Sequence, residues 1–342
     1  MRYNETMQRQ AIGRSGIEAS RIGLGTWVFG GWLWGGADDA DSIRAVHAAL
    51  DAGIDLLDTA PVYGFGRSEE VVGEAIAGRR DRVIIATKCG LLWDADAKGE
   101  VFFRTDEEGY NERGDIELHR YLGPESIERE VEASLRRLRT DYIDLYQTHW
   151  QDQTTAVEDT MACLLKLKDA GKIRAIGVSN AKVSHLERYA AVGQLDSAQE
   201  RYSALHRGLE DDRLPRLREH GVALLAYSPL ENGLLTGKLD PNRRFGPGDL
   251  RANDPRFSAD KRRAVNTRLG ALAPLAQARG LSVTQLVIGW TLAQPGVTHV
   301  LCGARTETQA RDNAHAGVRP LDAEALSAVE AALVDVREIV DG

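Results

Sequence analysis

"DYIDLYQTHWQDQTTAVEDTMACLLKLKDAGKIRAIGV", residues 141–178, holds the unit on which the fold turns. "DYIDLYQTH" is a short β-branched and aromatic run and reads as a strand. "TAVEDTMACLLKLKDAG" has helical period and stops at Gly171, a residue type that takes the left-handed turn at a helix end without steric cost. "KIRAIGV" is a second strand. Strand, helix, strand in direct succession is a crossover unit, and such a unit makes its two strands parallel.

The same alternation extends in both directions. Upstream, "RIGLGTW", "GIDLLD" and "DRVIIATK" read as strands. "SEEVVGEAIAG" and "PESIEREVEASLRRL" read as helices, the second with Ile127, Val131, Leu135 and Leu138 on one face. Downstream, "SAQERY", "VALLAYS" and "THVLCGA" are strands, separated by "KVSHLERYAAV" and "LPRLREHG". Eight strands in this rhythm predict a closed (β/α)8 barrel, and 342 residues fit one such α/β domain spanning 1–342. The structural alternative is a doubly wound open sheet. No GxGxxG follows the first strand, and the rhythm does not pause between halves.

Composition excludes several function classes. The formal charge of −8 argues against a nucleic-acid surface or a polybasic membrane contact. No apolar run approaches the roughly 20 residues of a membrane span, and the N-terminal "MRYNETMQRQ" is polar. Cys89, Cys163 and Cys302 are far apart and form no metal or disulfide pattern, so a reducing, cytoplasmic setting is expected. The eight histidines show no HxH or HExxH spacing, and no metal site is expected. Oligomeric state has no signature in the sequence.

Two segments break the rhythm. Residues 89–123 show no clear period and carry Trp93, Phe102, Phe103, Tyr110 and Tyr121. Residues 230–257 are rich in Gly, Pro and Arg. Each follows a strand, which places it at the C-terminal mouth where barrel enzymes build their sites. "QRQAIGRSGIEASRIG" reads as a hairpin turning at "GRSG", able to plug the opposite end. Residues 322–340 read as a final surface helix.

At the mouth, strand ends carry titratable groups: Asp58 closes the second strand with Tyr63 just beyond, Lys88 closes the third and His149 the fourth. Singly, each is ordinary: a helix cap, a packing tyrosine, a solvated lysine, a structural histidine. Together they suggest a proton-donating site. A phenol has an unperturbed pKa near 10. An ammonium about 4 Å away favours the phenolate by roughly 4 kcal/mol at an effective dielectric of about 20, or about 3 pKa units. Asp58 would hold Lys88 charged, and His149 would orient a carbonyl. No side chain supplies hydride, so a nicotinamide cofactor is required.

These residues bring the chain to a family. "GIDLLDTAPVYGFGRSEE", "IIATK", "SLRRLRTDYIDLYQTHW", "GKIRAIGVSN", "AYSPLENGLLTGK" and "GARTETQARDN" make it resemble the aldo-keto reductases over nearly its whole length, in family order. The resemblance leans toward the bacterial branch that also resembles potassium-channel β subunits. It implies a (β/α)8 barrel and NADPH-dependent reduction of small aldehydes and ketones, with a small-molecule carbonyl as the partner. By the same resemblance Asp58 is the acid, Tyr63 the proton donor, Lys88 its partner and His149 the carbonyl-orienting residue. A nucleotide-sensing regulatory subunit is the alternative, since the same four residues can persist there.

The resemblance also assigns a cofactor path. Gly25, Thr26 and Trp27 lie near the nicotinamide ribose, and Ser179, Asn180 and Gln199 hold the carboxamide. Tyr227 stacks on the ring. Ser228, Pro229, Leu230 and Asn232 run along the pyrophosphate, with Lys238 and Arg251 as basic contacts. Gly303, Arg305, Gln309 and Asn313 mark the adenosine-phosphate end. Locally, Thr306 and Gln309 fit a capping box, and the helix N-terminus they open favours an anion beside Arg305. Many members carry Lys-Ser where this chain reads "GART"; NADPH/NADP+ is the implied cofactor and NADH is admitted beside it. Trp27, Tyr63, His149 and Trp150 are expected to face the substrate; Trp27, Trp32, Trp34, Phe65 and Trp150 lie near strand mouths and, with the aromatics of 89–123, read either as pocket walls or as barrel-rim packing.

Overall fold

Runs such as Ile173–Ser179 are apolar on both faces, which suits a strand covered on both sides. The computed structural model describes residues 6–94, 97–105 and 114–341. Its first two strands, β1 (Arg9–Ala11) and β2 (Glu18–Ser20), form an antiparallel hairpin. Next come β3 (Ile22–Gly25), β4 (Leu56–Asp58) and β5 (Ile84–Cys89). After a small inserted sheet of β6 (Leu91–Leu92), β7 (Glu100–Arg104) and β8 (Glu117–Arg120) the series resumes with β9 (Ile143–Thr148) and β10 (Ile173–Ser179). It ends with β11 (Ser197–Arg201), β12 (Ala223–Tyr227) and β13 (Val297–Gly303). β3-β4-β5-β9-β10-β11-β12-β13 close on themselves as a parallel eight-stranded barrel, with β13 pairing β3 through Val300↔Ile22 and Gly303↔Gly25. The expected (β/α)8 barrel is therefore the fold.

Side chains inside the barrel stack in layers because alternate residues of each strand face inward. Leu56, Ala86, Leu145, Ala175, Leu225 and Leu301 form one apolar cluster. Ile12, fully buried at the hairpin turn, belongs to the same cluster, so the hairpin plugs this end as expected. Two residues further along their strands stand Asp58, Lys88, Gln147 and Tyr227. The period of two thus puts a polar layer directly on the apolar one, at the C-terminal mouth.

Residues 89–123 depart from the expected irregular loop. They contain the three-stranded antiparallel sheet in the order β6-β8-β7. Its strands are short and mix charged with aromatic residues, which hides their period. Tyr110 lies outside the described residues. Residues 230–257 are irregular apart from short helical turns at Glu231–Thr236 and Pro255–Phe257. The last helix, Ala323–Asp341, buries Val329, Leu333 and Val336 against Val265, Leu269 and Trp290, so one face of it is core.

Ile12→Ala truncates the plug's largest fully buried side chain. Truncating a buried isoleucine costs about 2–5 kcal/mol, and urea unfolding should show a loss in that range. An unchanged midpoint would mean that the hairpin adds nothing to barrel stability.

Candidate active site

The polar layer converges on one ammonium. Lys88 Nζ donates to Asp58 Oδ1 at 2.7 Å and Oδ2 at 3.0 Å, to the Thr59 carbonyl at 2.8 Å and to the Tyr63 hydroxyl at 3.3 Å. Lys88 is fully buried and Asp58 nearly so. Gln199 Nε2 donates to Asp58 Oδ2 at 2.7 Å. The His149 and Tyr63 rings meet edge to face, 5.7 Å apart. All four residues expected at strand ends are therefore brought together.

Their electrostatics differ from the expectation in one respect. Burial and the charge of Asp58 push the Tyr63 phenol well above its ordinary value. The Lys88 ammonium, held by both Asp58 oxygens, does not bring it below its ordinary value, because burial and the Asp58 carboxylate outweigh it. Burial also lowers the Lys88 pKa, and the two-oxygen contact with Asp58 opposes that shift. His149 is pushed well below its usual value by burial and by Lys88, so its ring is neutral at neutral pH. The site therefore presents a protonated tyrosine and a neutral histidine.

The Tyr63 turn is held by backbone contact. Gly30 and Gly64 pack against each other: a Cβ on Gly30 would lie 2.4 Å from the Tyr63 carbonyl carbon. One on Gly64 would lie 2.3 Å from the Gly30 oxygen. Gly64 and Phe65 also carry φ of +66° and +57°. Tight approach explains why glycine flanks the tyrosine.

One cavity of about 620 Å³ opens above the tetrad. Every residue assigned to the cofactor path lines it: Gly25, Thr26, Trp27, Asp58, Ser179, Asn180, Gln199, Tyr227, Ser228, Pro229, Leu230, Asn232, Lys238, Arg251, Gly303, Arg305, Gln309 and Asn313. Tyr63, His149 and Trp150 line it too, whereas Lys88 sits behind Asp58 and Tyr63. Side chains along the path brace one another. Asn180 donates to the His149 carbonyl at 3.0 Å and accepts from the Tyr227 hydroxyl at 2.8 Å. Ser179 Oγ donates to the Gln199 carbonyl. Lys238 pairs with Asp312 at 3.5 Å, and Arg251 grips Asp249 at 2.9 and 2.6 Å.

At the far end Arg305 donates to the carbonyls of Trp34 and Gly36. The capping box is half of what was expected. Thr306 Oγ1 accepts from Gln309 N, but Gln309 Oε1 accepts from Arg305 N instead of Thr306 N. Arg243 also lines this end, and it was not singled out in the sequence. Burial and the charges of Arg251 and Arg243 lower the Arg305 pKa, with Asp249 opposing. Three guanidiniums gather here with Asp249 opposing only part of their charge, an arrangement that an added anion relieves. Beside them the indole Nε1 of Trp34 is a buried donor without a partner among the described residues. Orphan donor and excess positive charge both fit a phosphorylated dinucleotide.

The fold, the tetrad and the cavity coincide with a match to the Aldo/keto reductase family over residues 21–334. The chain belongs to that family. It is 41% identical over 315 residues to the NADH-specific methylglyoxal reductase of Escherichia coli (strain K12), spanning 90% of this chain and 92% of that one. The glycerol dehydrogenase AKR11B4 from Gluconobacter oxydans superposes with a TM-score of 0.80 at 38% identity, covering 97% of this chain and 95% of that one. An aldo-keto reductase from Klebsiella pneumoniae, in complex with NADPH, gives 0.68 at 27% identity, covering 95% of each chain.

In this oxidoreductase the other half of the cavity is aromatic. Phe102 stacks on Trp150 with centroids 4.9 Å apart, and Trp32 meets Phe65 at 4.8 Å and Phe103 at 6.0 Å. Phe102 and Phe103 are sequence neighbours, which on a regular strand would point to opposite faces. A register shift in β7 between Val101 and Phe103 lets both line the cavity. Leu91 and Leu118 complete this wall, and nothing in their spacing marked them as such.

Gly30→Ala tests the backbone contact. The methyl has no room against Tyr63, so the turn shifts and the phenol leaves its place beside Lys88. A displacement of about 1 Å at a reacting group costs on the order of a hundredfold in rate. Carbonyl-reducing turnover should fall by that order with the circular dichroism of the barrel retained, and wild-type turnover would show that the contact does not set the tyrosine.

Proposed function

We propose that this aldo/keto reductase reduces small, neutral aldehydes and ketones to alcohols with NADPH, with NADH as a second donor, and that Tyr63 gives the proton. The observation that carries the reading is the Tyr63 hydroxyl, 3.3 Å from a buried Lys88 ammonium, at the floor of a cavity whose far end gathers three arginines. Bound nicotinamide supplies the hydride. The rest of the chemistry belongs to the chain. Neutral His149 keeps one ring N–H to donate to the carbonyl oxygen and hold it near Tyr63. The raised phenol pKa keeps the proton on Tyr63 until the carbonyl oxygen gains negative charge. Tyr63 then passes its proton to that oxygen, and the Lys88 ammonium stabilises the phenolate left behind.

Ser179, Asn180 and Gln199 are read as holding the carboxamide, Tyr227 as the stacking ring and Ser228–Asn232 as the diphosphate segment. Arg305, with Arg243 and Arg251, is read as the ribose-phosphate end. Among the described residues, the charged cavity-lining side chains other than Asp58 are Lys238, Arg243, Arg251, Arg305 and Asp312, all on this half of the path. The aromatic half therefore suits uncharged carbonyls. Three free, buried cysteines fit a reducing compartment, and we place the enzyme in the cytoplasm.

Tyr63→Phe should abolish aldehyde reduction and leave NADPH binding nearly unchanged. Steady-state rates paired with a cofactor fluorescence titration read both, and wild-type turnover would remove Tyr63 from the mechanism. Arg305→Ala loses a charge-assisted hydrogen bond worth about 1.5–3 kcal/mol, so NADPH should weaken by about one to two orders of magnitude. NADH should weaken much less. Dissociation constants for both dinucleotides decide it, and an equal loss for the two would assign phosphate reading elsewhere.

A further inference from the structure

Glu231 is a buried acid with no part in the tetrad. It is 1% exposed, and its carboxylate takes four side-chain partners. Arg201 Nη2 lies at 2.5 Å, Ser203 Oγ at 2.6 Å, His206 Nδ1 at 3.0 Å and Arg256 Nη1 at 3.2 Å. Arg201 ends β11, Ser203 and His206 belong to the turn after it, and Arg256 lies on the short helix Pro255–Phe257. One carboxylate thus joins three separate stretches of chain. Burial works to raise its pKa, but His206, Arg201 and Ser203 outweigh burial and hold it at about 2, so it is charged.

Glu231 does not line the cavity, yet its neighbours Ser228, Leu230, Asn232 and Gly233 do. Their backbone is unusual. Ser228, Glu231 and Asn232 carry φ of +57°, +45° and +54°, and Gly233 +95°. Three non-glycine residues in the left-handed region within five positions persist only where the surroundings over-determine them. Local backbone bonds supply part of that constraint: Glu231 N to Ser228 O, Gly233 N to Leu230 O and Leu235 N to Leu230 O. The Glu231 carboxylate supplies the tie to the rest of the protein. Turns that mix right- and left-handed residues aim successive N–H groups into a concavity that suits anions.

We propose that Glu231 is a positioning residue for the diphosphate of the dinucleotide: it holds the left-handed turn 228–233 in its receiving shape without touching the ligand. This rests on the reading above that the turn runs along the diphosphate. When the carboxylate is lost, the turn relaxes toward ordinary φ values and Ser228, Leu230 and Asn232 leave their places in the cavity wall. Lys88, Asp58 and Tyr63 are held by their own contacts and stay in place.

The test compares Glu231→Ala and Glu231→Gln with wild type, in the full-length enzyme, by NADPH and NADH fluorescence titration and by kinetics with a small aldehyde. Glu231→Ala should raise Kd and KM by about tenfold to a hundredfold, equally for NADPH and NADH, since both carry the diphosphate. kcat at saturating cofactor and KM for the aldehyde should stay at wild-type values. Glu231→Gln keeps an acceptor for Ser203 and should recover part of the loss; if the alanine variant does not fold, it carries the test.

A second buried acid separates positioning from general stability. Asp144 pairs with Arg80 and Arg174 and accepts from Ile85 N near the start of β9. Asp144→Asn should lower Tm and leave both dissociation constants alone. The proposal is overturned if the Glu231 variants bind NADPH like wild type, or if Asp144→Asn loses affinity in step with its Tm. A loss confined to NADPH also overturns it. If wild type binds neither dinucleotide, the reading of the turn itself has failed, and the proposal falls with it.

Discussion

The contact on which the rest of the site depends is the buried pair of Lys88 and Asp58. Taking both charges out of water costs several kcal/mol per ion, and only close geometry with further hydrogen bonds offsets that. Here the ammonium reaches both Asp58 oxygens, the Thr59 carbonyl and the Tyr63 hydroxyl, while Gln199 donates to Asp58 from across the barrel. The pair is set by register. Asp58 lies opposite Ala86 in the parallel ladder, and Lys88 follows Ala86 by two residues on the same inward face. A slip of one residue in either strand would turn its charge into the helical layer and leave the other unpaired. The apolar floor at Leu56 and Ala86 and the ion pair above it are therefore specified by the same pairing.

Neutralising Lys88 in this way changes what the tyrosine is for. A lone ammonium beside a phenol would favour phenolate at rest, and phenolate cannot donate. With Asp58 attached, the resting Tyr63 keeps its proton, its pKa raised by burial and by that carboxylate. In the proposed mechanism the Lys88 charge matters when the proton has left, because the new phenolate would then sit 3.3 Å from an ammonium already fixed in place. Preorganisation of this kind costs no rearrangement at the moment of transfer.

The barrel was legible because parallel strands buried on both faces read as short apolar runs, and because the period of two carries Leu56 to Asp58 and Ala86 to Lys88. The tetrad was legible from those strand ends. Less legible was whatever depends on distant segments meeting. β7 and β8 carry Glu100, Arg104, Glu117 and Arg120 among their aromatics, with a register shift at Phe102, so no period survives in the sequence. Glu69, Glu130 and Glu231 are spaced like solvated acids but are buried, each against partners far along the chain or on another element. Glu130 accepts from Gly90 N and Ser126 Oγ, and burial pushes it up to about 8. Arg243 looked like one more loop arginine until the fold brought it beside Arg251 and Arg305.

The two halves of the cavity are joined by the short segment after β3. Trp32 packs with Phe65 and Phe103 on the aromatic side. Two residues on, Trp34 bridges to Asp249, while Leu33 O accepts from Leu250 N and the Trp34 and Gly36 carbonyls accept from Arg305. Gly30, at the start of the same segment, is the backbone against which Tyr63 rests. One stretch of seven residues, 30–36, therefore touches Tyr63, the aromatic wall and the cationic end.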